Sequence, residues 1–324
     1  MPALRLRVTL ATALAASLAL PAQAGDILAV DRDGGRLHVI DRDTFVLRHS
    51  VAVGIHPHEV IASADGRKAF VAVYGNKEAP GHELVEVDLA DGRVVRRIDT
   101  TPLQRPHGLA RVGDAIWFTA ETSRALGRFD PAAGRIDQVH GIGQDVAHMV
   151  EASSDGRQLF TADMLSGTVT RIDFRVPQPF PKLTHYPVGE RPEGLAVMPD
   201  DRHVWVGLNG EGRVRVIDLE GGDPVAEFEA GAQPARIELS GDGRRAFVID
   251  PQASRLLVFD TATHQPLYSH VVDGVPLGML PDATGGKIVL TLAAAGAVVE
   301  VDVASGRVLR RVDVGQVADG LAES

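Results

Sequence analysis

The chain is expected to fold as an all-β, seven-bladed β-propeller of four-stranded blades. Three observations predict this: a period of 42 to 47 residues, short β-rich runs between Gly, Asp and Pro, and two ends that each carry part of one blade. An apolar-Asp step ends at Asp41, Asp88, Asp130, Asp173, Asp218, Asp260 and Asp302, with successive spacings of 47, 42, 43, 45, 42 and 42. Turns follow it, as in DLADGR, DPAAGR and DVASGR, where the carboxylate can accept nearby backbone N–H groups. A second marker runs in phase, of the type Gly-x-x-Pro-x-Gly-apolar-Ala: GIHPHEVIAS, LQRPHGLARV, GQDVAHMVEAS, GERPEGLAVM and GAQPARIELS, with weaker copies at 273–280 and 315–324. Several copies lead through Asp-Gly into a run rich in Val, Phe, Ile and Thr.

Each period therefore holds four short strands; the first full blade is expected at 58–63, 68–74, 83–89 and 93–99. No helical periodicity is present after residue 24. Ala318-Asp319-Gly320-Leu321-Ala322 opens a unit with nothing after it, and Asp26–Asp31 reads as the second strand of a unit with nothing before it. Joined, they make the seventh blade, with the C-terminal strand innermost and residues 26–53 supplying the other three. Radial closure removes the open edges that a linear stack would keep.

Residues 1–24 read as a secretory signal. Arg5 and Arg7 precede an apolar stretch from Val8 to Leu20, and Ala22-Gln23-Ala24 is a small-x-small cleavage site. The apolar stretch is shorter than the roughly 20 residues of a membrane span. The expectation is a periplasmic or secreted monomer of residues 25–324 without a membrane anchor. The 324 residues include 33 Lys+Arg and 43 Asp+Glu, a net charge of −10, which argues against capture of nucleic acid. The absence of cysteine excludes disulfides, thiolate metal sites, thiol nucleophiles and covalent haem attachment.

The run of Pro-x-Gly-apolar-Ala, Asp-Gly, apolar-Val and Val-Ile-Asp, seen in 191–218, 231–260 and 54–76, resembles the YVTN-type propellers, with the YncE-like exported proteins nearest. The resemblance covers nearly all of 25–324. The Tyr-Val-Thr-Asn strand of that family reads FVAVYGN, WFTAETS, LFTADML and VWVGLNG here. The resemblance implies the fold. The class spans binding proteins, metal chaperones and non-catalytic subunits of amine dehydrogenases, so function has to be argued from the site.

In a propeller, the blade-to-blade loops and the loops between second and third strands surround one mouth of the channel. His56, His58, His107 and His148 fall there, from three consecutive blades, with Glu59, Glu121 and Asp163. Imidazole plus carboxylate suits zinc or another divalent first-row metal. The alternative is that His58 and His107 hydrogen-bond neighbouring carbonyls. Arg105, Arg191 and Arg236, with Glu193 and Asp319, mark a second possibility, guanidinium forks holding a carboxylate or phosphate, against simple ion pairing at the rim. The seven repeated Asp residues read as structural, and Trp117 and Trp205 as core. Residues 75–83 and 174–182 lengthen two loops.

There is no GxSxG elbow and no seryl nucleophile with a His partner. The expected role is an exported protein that binds a small ligand, metal or periplasmic partner through its funnel face. Two alternatives stay open: a metal-dependent hydrolase of the lactonase type, with Glu121 or Glu59 as base, and a non-catalytic subunit of a periplasmic redox complex.

Overall fold

The computed structural model describes residues 25–176 and 179–324; the expected signal segment lies outside the described residues. The described chain forms seven sheets of four antiparallel strands arranged as blades of one ring. Its helical content is two single turns, Glu121–Ser123 and Ala293–Ala295. Six blades run inner to outer in sequence order. The seventh orders its strands as Ala318–Glu323, Asp26–Asp31, Arg36–Asp41 and Leu47–Ala52.

The ring closes as the two ends predict. Ala318–Glu323 pairs antiparallel with Asp26–Asp31, with Ile27 opposite Glu323 and Leu28 opposite Ala322. The seam is reinforced by Asp31, whose buried carboxylate accepts the N–H groups of Gly34, Gln316 and Val317 at 3.0, 3.2 and 3.0 Å. A side chain at the end of one strand thus ties down both the next turn and the loop that brings in the last strand.

No single core holds this ring. Seven apolar clusters each join two adjacent blades. The period-2 alternation of a strand sends successive residues to opposite faces. In Asp26–Asp31, Ile27 and Ala29 pack with Val289 and Val298 of the sixth blade, while Leu28 and Val30 pack with Val60 and Val71 of the first. Second and third strands are buried on both faces, as Ala115–Ala120 is throughout. Outer strands alternate toward solvent, as in Arg93–Asp99. Trp117 and Trp205 are 5 % and 1 % exposed within two of these inter-blade clusters.

The seven repeated Asp residues end the third strands and accept backbone N–H bonds from two or three residues ahead, for example from Ala132 and Ala133 at Asp130. The same arrangement recurs at Asp41, Asp88, Asp173, Asp218, Asp260 and Asp302. Bonding of this kind favours the carboxylate form. At Asp218 the Arg202 side chain, followed by the Glu220 N–H, brings its pKa down to about 2.

The first blade occupies Pro57–Ala62, Lys68–Gly75, Pro80–Asp88 and Arg93–Asp99. The expected loop at 75–83 is therefore mostly an extension of the hairpin. Asn76 tightens its turn by accepting the N–H groups of Glu78 and Ala79 at 3.0 and 2.8 Å. The other long connection, 174–182, joins third and fourth strands as expected; Pro177 and Gln178 lie outside the described residues, and Phe180 is 76 % exposed.

Candidate functional site

The second repeat marker places seven side chains around one mouth of the channel. The buried residues Pro57, Pro106, Ala147, Pro192, Pro234, Pro276 and Ala318 are each followed by one ring residue. These are His58, His107, His148, Glu193, Ala235, Leu277 and Asp319 in blade order. In four blades the next residue is glycine. A Cβ on Gly108, Gly278 or Gly320 would lie 2.6, 2.4 or 2.2 Å from the carbonyl oxygen of His148, Asp319 or His58 respectively, and one on Gly194 would lie 3.0 Å from the Arg236 carbonyl carbon. Glycine at this step lets neighbouring inner strands converge, which narrows the channel. The other three blades carry Glu59, Met149 and Arg236 at the same step.

Between these two levels lies a cavity of roughly 160 Å³, lined by Arg32, His58, Glu59, His107, His148, Met149, Glu193, Ala235, Arg236, Leu277 and Asp319. On one side the rings of His58, Tyr74, His107 and His148 are packed together. His107 and His148 stack at 3.8 Å between centroids, and His58 lies 5.0 Å from His107 and 4.7 Å from Tyr74. Glu121, 5 % exposed at the end of its blade's second strand, is the hub. It accepts the Tyr74 hydroxyl at 2.5 Å and faces His148 Nδ1 at 2.5 Å. His148 Nε2 lies 3.7 Å from Glu193, which also accepts the Asn209 amide. The Arg105 guanidinium covers the Tyr74 ring at 4.7 Å and donates to the Asn76 carbonyl at 2.9 Å, so the extended hairpin helps to hold this side.

The environment drives the three histidines apart. Burial, reinforced by Arg32 and His148, pulls His58 down to about 3. Burial likewise carries His107 well below the ordinary range. Burial also opposes the charge on His148, but hydrogen bonds to Glu121 and Glu193 outweigh it and raise its pKa to about 10. One imidazolium therefore sits beside two neutral imidazoles at pH 7. Burial and Glu121 push Tyr74 up to about 12. His58 Nδ1 faces Asp319 at 3.5 Å, and Arg32 reaches the same carboxyl at 3.5 Å. Burial, then the nearby Glu59, raises Asp319 to about 7.

One polar atom in this cluster is orphaned. Among the described residues, Nδ1 of His107, a side chain only 4 % exposed, is buried without a hydrogen-bond partner. Such a group costs about 1–3 kcal/mol unless something else satisfies it. One ring nitrogen each from His107 and His148 and one oxygen of Glu121 lie within 4.8 Å of one another. A tetrahedral zinc site needs ligand atoms about 3.3 Å apart, so small side-chain movements would bring these three onto one ion. The donor set of two imidazoles and a carboxylate fits a divalent first-row metal.

Of the seven metal-ligand candidates from the sequence, the structure brings His58, His107, Glu121 and His148 into one cluster. His56 sits in the preceding turn at φ 47°, where its carbonyl accepts the Tyr74 N–H at 3.1 Å, and its side chain makes no hydrogen bond among the described residues. Glu59 is committed to an ion pair with Arg236, which crosses the channel from the fifth blade and also donates to the Leu277 carbonyl at 3.1 Å. Asp163 points elsewhere. It accepts the hydroxyls of Thr161, Thr168 and Thr170 at 2.8, 2.9 and 2.5 Å, and burial raises it to about 6 despite those bonds. The guanidinium fork does not assemble. Arg105 lies over Tyr74, Arg236 is paired with Glu59, and Arg191 is exposed at φ 53°. Glu193 and Asp319 do line the cavity. Sequence reasoning missed Arg32, Met149, Ala235 and Leu277 as lining residues; the ring step of the repeat, read in every blade, carries the signal for the last two.

No family profile matches the chain, and no curated protein resembles it in sequence. Solved structures do resemble it in fold. A functionally unknown protein from Desulfotomaculum acetoxidans superposes with a TM-score of 0.76 at 14 % identity, covering 93 % of this chain and 99 % of that one. A candidate 6-phosphogluconolactonase from Bacteroides fragilis gives 0.76 at 15 %, covering 94 % and 98 %. Hydrazine synthase from Kuenenia stuttgartiensis gives 0.65 at 17 %, covering 82 % and 88 %. At these identities the likeness is one of fold, and what is established of this chain is that it is a β-propeller.

Proposed function

We propose that this chain is an exported binding propeller whose channel mouth takes a divalent first-row metal ion on His107, Glu121 and His148. The observation that carries this reading is the grouping of one His107 ring nitrogen with a second imidazole and a carboxylate, in a side chain whose buried Nδ1 has no hydrogen-bond partner among the described residues. Glu121 would act as ligand while the Tyr74 hydroxyl holds its other oxygen, an outer contact of the kind that orients metal-bound carboxylates. His148 would exchange its proton for the ion, so binding weakens as pH falls. Equilibrium dialysis of the purified protein against zinc or cobalt, followed by elemental analysis, tests it. One ion per chain is expected. His107→Ala and Glu121→Gln should lose it, and Asp163→Asn should keep it. Unchanged metal content in the His107→Ala/His148→Ala double variant refutes the reading.

A second reading, hydrolysis of a small lactone, is favoured by the facing pair His58 and Asp319 on the same cavity. A carboxyl held near pH 7 beside a neutral imidazole is suited to moving a proton to and from a reacting ester. Turnover of a sugar-lactone panel that is lost in Asp319→Asn supports it; no turnover in the metal-loaded protein removes it.

A further inference from the structure

The seven ring residues are not chemically uniform. Five blades bring His or carboxyl groups, while the adjacent fifth and sixth blades bring Ala235 and Leu277 to the same cavity, with Met149 beneath. Neither Ala235 nor Leu277 is fully covered by protein, so an aliphatic wall faces the histidines across the mouth. A site for a bare ion needs no such wall. The cavity of roughly 160 Å³ is close in size to an apolar cavity of about 150 Å³ that takes benzene, room for a molecule of some six heavy atoms.

We infer that the site takes a short aliphatic carboxylate of about four carbons, its carboxylate toward the His107–Glu121–His148 side and its alkyl chain against Ala235 and Leu277. This rests on the metal reading for the polar end only. An ion held by two imidazoles and one carboxylate keeps a net positive charge and free positions that favour an anionic oxygen. The second carboxylate oxygen would lie toward Asp319, whose protonated form can donate to it, and Arg32 stands behind Asp319 at 3.5 Å. The apolar wall needs no metal: each buried methylene contributes about fourfold in affinity.

Titration calorimetry on the zinc-loaded and metal-free full-length mature protein tests this, with acetate, propionate, butyrate and hexanoate as probes and butylammonium and butanol as controls. For the loaded protein, affinity should rise about fourfold per methylene from acetate to butyrate and fall at hexanoate, which overfills the cavity. Leu277→Asn should flatten this dependence with metal content unchanged, and Ala235→Leu should shift the optimum to a shorter chain. A flat series in the loaded protein overturns the inference, as does binding of butylammonium in preference to butyrate. If the protein takes up no zinc but still shows the chain-length optimum, the metal reading fails and the aliphatic pocket stands. If zinc binds and no carboxylate does, the pocket fails and the metal reading stands.

Discussion

Replacing Arg236 by Met should destabilise the whole ring, and the structure sets the size of the effect. The Arg236 side chain is 14 % exposed and its partner Glu59 is 7 % exposed, 177 positions earlier in the chain. Burial disfavours the guanidinium charge, yet Glu59, Glu238 and Asp319 hold its pKa above the usual range. It is thus the cation that balances a group of carboxyls around the channel. Removing one partner of a buried pair costs about 3–5 kcal/mol, chiefly because the other charge is left uncompensated. Glu59→Gln with Arg236→Met should recover much of that loss, giving a coupling energy of about 2 kcal/mol or more in a double-mutant cycle. Urea unfolding at pH 7 measures all four proteins. The deficit of Arg236→Met should also shrink at pH 5, where the stranded carboxyls take up protons. Additive single effects, each below about 1 kcal/mol, would refute the argument that this pair is buried and mutually dependent.

Two further outcomes follow from the same structure. Deleting residues 319–324 removes most of the strand that closes the seventh blade, leaves Asp26–Asp31 as an open edge, and should lower the melting temperature of the entire ring; an unchanged melting temperature would contradict closure. In the metal-free protein, stability should fall as pH rises from 6.5 to 10. The raised pKa of His148 is worth stability that is fully present below its unfolded value and lost as pH climbs to about 10, a contribution on the order of 2–5 kcal/mol. The raised carboxyl of Asp319 acts in the same direction, its contribution disappearing by about pH 7. Chemical denaturation across this range should show the decline, and His148→Gln should flatten it.

The blade count, the turn at each repeated Asp and the closure by the two ends were legible in the sequence because each depends on local chemistry repeated at a fixed period. Alternating apolar residues specify strands, and Asp or Gly specifies the turns. The site was legible in part. His58, His107 and His148 stand at one step of the repeat, so adjacent blades had to bring them near one another. The sequence could not decide where each side chain turns once the inner strands converge. Glu59 and His58 are neighbours in the chain, yet one reaches across the channel to Arg236 while the other joins the histidine cluster. Asp163 and Glu121 end equivalent strands, yet three threonines hold the first and His148 with Tyr74 hold the second. A repeat fixes position along each blade; the curvature of the closed ring brings residues 177 positions apart within bonding distance, and only that tertiary geometry assigns their partners.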